Sequence, residues 1–212
     1  MFMSKIAITF DIEPDLHTNK YLGITQGLKS AVLILDKYKI KATFFTTCDC
    51  IEKFPAIFQD LQKQGHEIAL HGYRHERFDI LSKEEKEKNI KESINCFENI
   101  LKINPKGFRA PQHSIDNSTL RILKEYSFKY DSSKTPLNFL QFLFFPKKIK
   151  LNLQNFFSRS KKHKIGNLIE IPPTSFFLPF VSIIPRVLPK SIQRLYFFIL
   201  SLFFKEIIYY AH

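Results

Sequence analysis

The chain has 212 residues, of which 44% are hydrophobic and 25% charged, so it is not an intrinsically disordered protein and suits a single domain over residues 1–212. Lysine and arginine outnumber the acidic residues by 32 to 20, and the formal charge of +12 favours anionic partners. The three cysteines, Cys48, Cys50 and Cys96, argue against a disulfide framework and fit a reducing compartment.

The predicted elements alternate along the first two-thirds of the chain. Apolar runs predict strands at residues 5–10, 42–46, 67–70, 107–109, 128–131, 168–171 and 207–210. Helical spacing predicts helices at residues 24–38, 54–64, 82–101, 116–126 and 191–204, with Ser82 and Glu85 as a capping box. This alternation predicts an α/β fold with a parallel sheet, open or closed into a barrel. Residues 134–165 are basic and are predicted to be a loop insertion.

The ends of the chain predict no targeting or membrane-spanning segment. Charges at Lys5 and Asp11 leave no secretory apolar region, and residues 176–204 contain no uninterrupted run of about 20 apolar residues. We therefore expect a cytoplasmic protein. Residues 147–164 hold seven cations and no acid, so an anionic membrane or glycan surface is an alternative partner. No base-stacking or helix-turn-helix motif accompanies them, and nucleic acid is not expected.

Polar side chains follow the predicted strands, at the edge where chemistry collects in parallel α/β folds. They are Asp11 and Glu13 in TFDIEPD, His71 and His75 in LHGYRHERF, Arg109 in FRAPQHS, Asp131 in KYDSS, and His212 in IIYYAH. Each alone has a structural explanation, such as a helix cap. Together, a carboxylate and two imidazoles supply three metal ligands and leave a fourth position for water. A second carboxylate can then act as base and a distant histidine as acid.

The order and spacing of TFDIEPD, HGYRH, FRAPQ, YDSS and YYAH resemble the motifs of the polysaccharide deacetylases, the NodB-homology family. The resemblance covers residues 6–212. It implies a distorted seven-stranded (β/α) barrel and hydrolysis of a non-peptide carbon–nitrogen bond, with removal of acetyl groups from an N-acetylated sugar in a polysaccharide or glycan precursor. It also implies a divalent metal, with zinc as the expected ion.

Residue roles follow from the resemblance, position by position. Asp11 matches the general base, and Arg109 matches the arginine that orients it. His71 and His75 match the two metal-binding histidines. His212 matches the general acid, and Asp131 matches the acid that pairs with it, with Glu170 in LIEIPP as the alternative. The backbone near Pro111 and Gln112 is expected to bind substrate and form part of an oxyanion hole.

Two departures from the family pattern leave alternatives open. Ile12 stands where a second aspartate usually binds metal, so Glu13, on the same side of an extended chain as Asp11, is expected to be the third ligand. A branch with this acid-x-acid arrangement also includes cyclic ureide and imide hydrolases, some of them metal-free, which makes an allantoinase-like hydrolase the first alternative. A non-catalytic glycan- or membrane-binding domain is the second. Gln112 replaces a usual tyrosine.

The motif-five histidine is the last residue of this chain, whereas the family continues beyond it. We therefore expect either a fragment or a weakened enzyme.

Overall fold

The computed structural model describes residues 4–15, 18, 20–136, 158–175, 186 and 188–211. In this part of the chain one curled sheet has the strand order β6-β7-β5-β4-β3-β2-β1-β8. Its strands are β1 (Lys5–Ile12), β2 (Thr43–Thr46), β3 (Glu67–Leu70), β4 (Gly107–Phe108), β5 (Tyr130–Asp131), β6 (His163–Ile165), β7 (Leu168–Glu170) and β8 (Glu206–Ala211). All neighbours are parallel except β6 and β7. The predicted α/β fold of the distorted seven-stranded barrel type is confirmed, and the described sheet is a curled half-barrel of seven parallel strands with a further antiparallel strand at one edge.

The helices lie between the strands, as the alternating pattern predicts. They are α1 (Lys29–Lys37), α2 (Cys48–Lys53), α3 (Pro55–Lys63), α4 (Lys83–Cys96), α5 (Asn117–Glu125) and α6 (Lys190–Phe203). A π-helical turn precedes α1 and another follows α4. None of the helices in the described residues is both long and apolar enough to cross a bilayer.

Helix starts follow the local capping residues. Ser82 and Glu85 form the predicted capping box at the start of α4, with both reciprocal hydrogen bonds present. Asp116 caps α5 by accepting from the Thr119 N–H, and its other oxygen lies 2.7 Å from the buried Lys86 ammonium of α4. The Asp116 carboxylate therefore caps α5 and also forms the ion pair that links α5 to α4.

Two differences from the sequence-based expectations concern local structure. The predicted insertion at 134–165 ends in a strand, because β6 pairs with β7. The short helix α2 was not predicted, and it holds Cys48 and Cys50 as buried free thiols. Residues 137–157, most of the apolar stretch 176–187, and His212 lie outside the described residues.

The register of the parallel strands brings the predicted site residues to one edge of the sheet. Neighbouring strands align in one continuous row, which runs through Ile12, Thr46, Leu70, Phe108, Asp131 and Glu170. Glu13, His71 and Arg109 each follow a member of that row, at the carboxyl ends of β1, β3 and β4.

Successive residues of a strand point to opposite faces of the sheet, so the row also separates two environments. Ile12, Leu70 and Phe108 lie in the main core under the helices, together with Phe44. The alternate positions, which include Asp11 and Arg109, point into the concave side of the half-barrel.

Candidate active site

A buried ion pair lies at the centre of the concave side. Arg109 Nη1 is 2.6 Å from Asp11 Oδ1, and both side chains are almost fully withdrawn from solvent. Desolvation of two charges is costly unless the geometry and the remaining hydrogen bonds are good. The arginine meets that condition, since each of its three nitrogens donates a hydrogen bond.

The remaining contacts of Arg109 hold its guanidinium in one orientation. Nε donates to the carbonyl oxygen of Ser132, and Nη2 donates to the hydroxyl of the same residue. Nη1 also donates to Thr9 Oγ1, and the Phe45 ring lies 4.0 Å from the guanidinium carbon. Because the guanidinium cannot rotate, it fixes the orientation of the Asp11 carboxylate.

Beside this pair, one carboxylate and two imidazoles converge. A ligand atom from each of Glu13, His71 and His75 lies within 4.8 Å of the other two. Glu13 Oε2 is 2.6 Å from His75 Nε2 and 3.4 Å from His71 Nε2. Burial raises the pKa of Glu13, but its interactions with the two histidines outweigh burial and hold the pKa well below its usual range. Glu13 is therefore ionised at neutral pH.

The hydrogen bonding of His71 shows that these residues fit a cation. Its Nδ1 lies 2.7 Å from the carbonyl oxygen of Arg109. A carbonyl oxygen only accepts, so Nδ1 carries a proton, and in the neutral imidazole Nε2 presents a lone pair. Within the described chain that buried Nε2 has no hydrogen-bond partner, and it faces a carboxylate oxygen, which is also an acceptor. A divalent metal there would accept the Nε2 lone pair, and a His₂-carboxylate set is a common zinc site.

The loop that carries both histidines is shaped by a glycine and by α2. Gly72 has a φ of +84°, and a Cβ there would lie 3.1 Å from the Arg74 carbonyl oxygen and from the Phe78 ring. The first two N–H groups of α2, from Cys48 and Asp49, donate to the carbonyls of Gly72 and Tyr73. The helix that sequence patterns missed thus supports the metal-ligand loop.

Asp131 and Glu170 form a second buried acidic pair, on the other face of the sheet. They are register partners on β5 and β7, and Asp131 is also aligned with Phe108, whose side chain points away from that of Arg109. Asp131 accepts from the Ser133 hydroxyl, and Glu170 accepts from the Lys134 N–H.

This acidic pair holds a proton at neutral pH. Burial and the neighbouring Asp131 raise the pKa of Glu170 to about 11, and burial also raises the pKa of Asp131. The structure therefore brings Asp131 to Glu170 and not to Asp11. The predicted pairing of either acid with His212 stays a prediction, because His212 lies outside the described residues.

The FRAPQHS segment turns sharply beside Arg109. Pro111 is buried, the Gln112 side chain is exposed, and both Gln112 and His113 have φ values near +55°. Two consecutive non-glycine residues in this region represent stored backbone strain, which occurs mostly at functional sites. The turn places the expected oxyanion-hole backbone at the active edge, and the role of Pro111 and Gln112 in substrate binding stays a prediction.

Sequence analysis assigned no role to His113, Ser132 or Ser133, although all three lie in the quoted motifs. The serines hold Arg109 and the Ala110 N–H in place. His113 donates from Nδ1 to the Ser133 carbonyl and meets the Tyr210 ring edge-on. Burial, with a smaller contribution from the positive charge of Arg109, lowers the pKa of His113 to about 3. His113 is therefore a neutral imidazole next to the ion pair.

Comparison with known proteins agrees with this fold. The family model for polysaccharide deacetylase matches residues 3–130, more than half of the chain. A peptidoglycan deacetylase-like protein from Gibberella zeae is 35% identical over 109 residues, which cover 50% of this chain and 32% of that protein. Chitin deacetylase 2 from Saccharomyces cerevisiae is 32% identical over 123 residues, which cover 58% of this chain and 35% of that protein. The chain thus spans about a third of the length of these relatives.

A solved structure shows the same fold over nearly the whole chain. A protein from Mycobacterium smegmatis, described as a polysaccharide deacetylase, superposes with a TM-score of 0.73 at 20% identity. The match covers 99% of this chain and 76% of that one. The half-barrel and its polar edge define a hydrolase-type α/β fold with a candidate metal site. The chain belongs to the polysaccharide deacetylase family, and the predicted resemblance is confirmed.

Proposed function

We propose that this protein hydrolyses the acetamido group of an N-acetylated sugar in a glycan, with the help of a divalent metal. The observation that carries the proposal is the position of the Asp11–Arg109 pair beside the cluster of Glu13, His71 and His75 on one edge of the sheet. The names of the relatives, a peptidoglycan deacetylase-like protein and a chitin deacetylase, support an N-acetylated glycan as substrate.

The proposed metal ligands are Glu13 Oε2, His71 Nε2 and His75 Nε2. A divalent cation bound there would lower the pKa of a water molecule and polarise the acetamide carbonyl. His75 is the most accessible of the three side chains, at 18% exposed, so the cluster opens to solvent on that side. An open side is what a catalytic site needs for water and substrate. Zinc is the expected ion because two imidazoles and one carboxylate suit it.

Asp11 is the proposed general base. Arg109 holds Oδ1 at 2.6 Å, which fixes the direction of the carboxylate that is proposed to take a proton from the attacking water. Glu13 lies two residues further along the same extended segment, so both acids project to the same side. Asp11 is thus the proposed base and Glu13 the proposed metal ligand.

The proposed acid is His212, which would protonate the leaving amine. It follows Ala211 in the sequence, and Ala211 is the register partner of Phe10, the residue before Asp11. What supports this choice is that β8, the strand that precedes His212, is paired with β1, the strand that carries Asp11. Neutral His113 at the same edge is not a proton donor of this kind, since its pKa of about 3 leaves it unprotonated at neutral pH.

Release of acetate tests the proposal. Purified protein is stripped with a chelator, reloaded with zinc, and incubated with chitin oligomers and with peptidoglycan fragments. We expect acetate and a free amine from at least one substrate, with loss of activity in the stripped protein and recovery on adding zinc. His163→Gln changes a histidine on edge strand β6 that is not part of the site, and this variant should release acetate at the wild-type rate.

Two outcomes would favour the alternatives. Ring opening of allantoin or succinimide, without acetate release from any glycan, would assign the site to a cyclic ureide or imide hydrolase. Glycan binding without turnover in fully metal-loaded protein would indicate a non-catalytic domain.

A further inference from the structure

Helix α6 carries a surface that is not part of the candidate active site. One face of this helix packs inward through Tyr196 and Leu200, which form a small core with Phe204 and Ile207. The opposite face is also apolar. It presents four large apolar side chains at helical spacing, each 46–64% exposed, namely Ile192, Leu195, Phe198 and Leu202. A helix that is apolar on both faces normally has an apolar environment on both sides.

The rim of this face is positively charged. Lys190 and Arg194 are exposed on α6 itself, which has no acidic residue, and the exposed Lys205 follows its end. Two more cations reach the same end of the helix from the basic segment before β6. Lys161 Nζ lies 5.9 Å from the centre of the Phe204 ring, and Lys162 Nζ lies 3.5 Å from Glu206 Oε2.

We propose that α6 is a membrane-contact helix that lies in the interface of an anionic phospholipid bilayer. Its exposed apolar face would enter the headgroup boundary, while Lys161, Lys190 and Arg194 contact anionic headgroups. Phenylalanine, leucine and isoleucine beside lysine and arginine are the composition of interfacial amphipathic helices. This binding surface goes beyond the proposed catalytic function and does not depend on it.

Charge is the reason for choosing a bilayer over a second copy of the chain. Two copies meeting at this face would bring two cationic rims together, and like charges disfavour such a contact. An anionic bilayer is complementary to the rim and offers apolar volume to the four side chains. The overall charge of +12 acts in the same direction.

The test is sedimentation of the full chain with vesicles. One set contains phosphatidylcholine and phosphatidylglycerol, and the other contains phosphatidylcholine alone. At about 0.01 M salt, where the Debye length is ~30 Å, we expect binding to the mixed vesicles that is at least about tenfold tighter than binding to the neutral ones. At about 1 M salt, where the Debye length is ~3 Å, most of that difference is expected to disappear. Absence of binding to the mixed vesicles at low salt overturns the proposal.

Substitutions assign the binding to α6. Leu195→Glu with Phe198→Glu is expected to weaken binding by more than about tenfold, because it replaces inserted apolar groups with charges. The matched control is Leu33→Glu with Ile34→Glu on α1, which adds the same two charges at side chains 64% and 59% exposed on another helix, and we expect its binding to stay within about twofold of the wild type. Equal losses in both proteins would show that net charge alone is responsible, which contradicts the proposal.

A second variant protects the test against misfolding. Lys190→Gln with Arg194→Gln changes only exposed side chains, and it is expected to weaken binding at low salt but not at high salt. Sedimentation velocity without vesicles tests whether a second copy of the chain binds this face instead. If the wild type self-associates and the Leu195→Glu, Phe198→Glu protein does not, the face is an interface between copies and the membrane proposal is wrong.

Discussion

Arg109 Nη1 and Asp11 Oδ1 are 2.6 Å apart in the interior of the protein, although 98 residues separate them in the chain. The contact joins the first strand to the segment after β4, and it brings the proposed base to the same edge as the candidate metal ligands Glu13, His71 and His75. An arginine is suited to this position because its planar fork reaches Asp11, Thr9 and Ser132 at once. A lysine could not make these contacts together.

Asp11→Asn is expected to lower turnover by on the order of 10²–10⁴-fold, which is the usual share of general base catalysis. Metal content should not change, because Asp11 is not one of the three clustered ligands. The measurement is kcat together with metal stoichiometry, at a temperature where circular dichroism shows the variant folded. Loss of metal in parallel with activity would mean that Asp11 and Glu13 have exchanged roles.

Glu13→Gln is expected to weaken zinc affinity by more than the ~10–100-fold that follows loss of an outer-shell partner, because it removes a direct ligand. Competition with a chromophoric chelator measures this affinity. His163→Gln serves as the control for a histidine outside the cluster. If the wild type takes up no zinc or other divalent metal, the three residues are not a metal site and the metal-free branch of the family becomes the better comparison.

Because of the Asp131–Glu170 pair, we expect the free energy of unfolding to fall as the pH rises. Glu170 has a folded pKa of about 11, raised by burial and by Asp131, whereas its ordinary value is 4.5. Between these values the folded state holds a proton that the unfolded state has released, so the free energy of unfolding falls by up to ~1.4 kcal/mol per pH unit. Glu170→Gln keeps the neutral form and should flatten this slope.

Thermal unfolding of the wild type and Glu170→Gln between pH 5 and about 9 checks this prediction. Glu67→Gln provides a matched control, since Glu67 is a carboxylate on β3 outside the pair. A wild-type Tm that does not fall over this range, or falls equally in Glu170→Gln, would show that Glu170 is not the group responsible.

Asp116→Ala is expected to lower the free energy of unfolding by ~3–5 kcal/mol. The substitution removes the cap of α5 and also leaves the buried Lys86 ammonium without its 2.7 Å partner. Ser82→Ala removes the cap of α4 alone and should lower it by only ~1 kcal/mol. Urea denaturation of both variants gives the comparison, and similar losses in the two proteins would mean that the Lys86–Asp116 pair adds little beyond the cap.

Local sequence patterns were sufficient for much of the fold. β3 has the predicted bounds, and the capping box of Ser82 and Glu85 and the cap at Asp116 are present. These features depend on spacings of one to four residues, which the sequence displays directly. The motifs that end the strands were also visible, because carboxyl ends of parallel strands collect at one edge. The structure brings together Glu13, His71 and His75, the set that the family resemblance suggested as ligands, and their binding of a metal stays a prediction.

What local patterns did not show depends on register and on contacts between distant segments. The six-residue α2 is too short for a periodic signal, and its N–H groups are placed by the carbonyls of Gly72 and Tyr73. The roles of Ser132 and Ser133 exist only because Arg109 and Ala110 lie on the neighbouring strand.

The sequence by itself determined the family, the α/β architecture and the set of polar residues at the strand ends, because each is written in short motifs and periodicities. Only the tertiary structure decided which acids meet. Asp131 aligns with Phe108 and Glu170, whereas Asp11 faces Arg109 on the concave side. The physical reason is the alternation of side chains along a strand: a shift of one residue in register moves a carboxylate from one face of the sheet to the other.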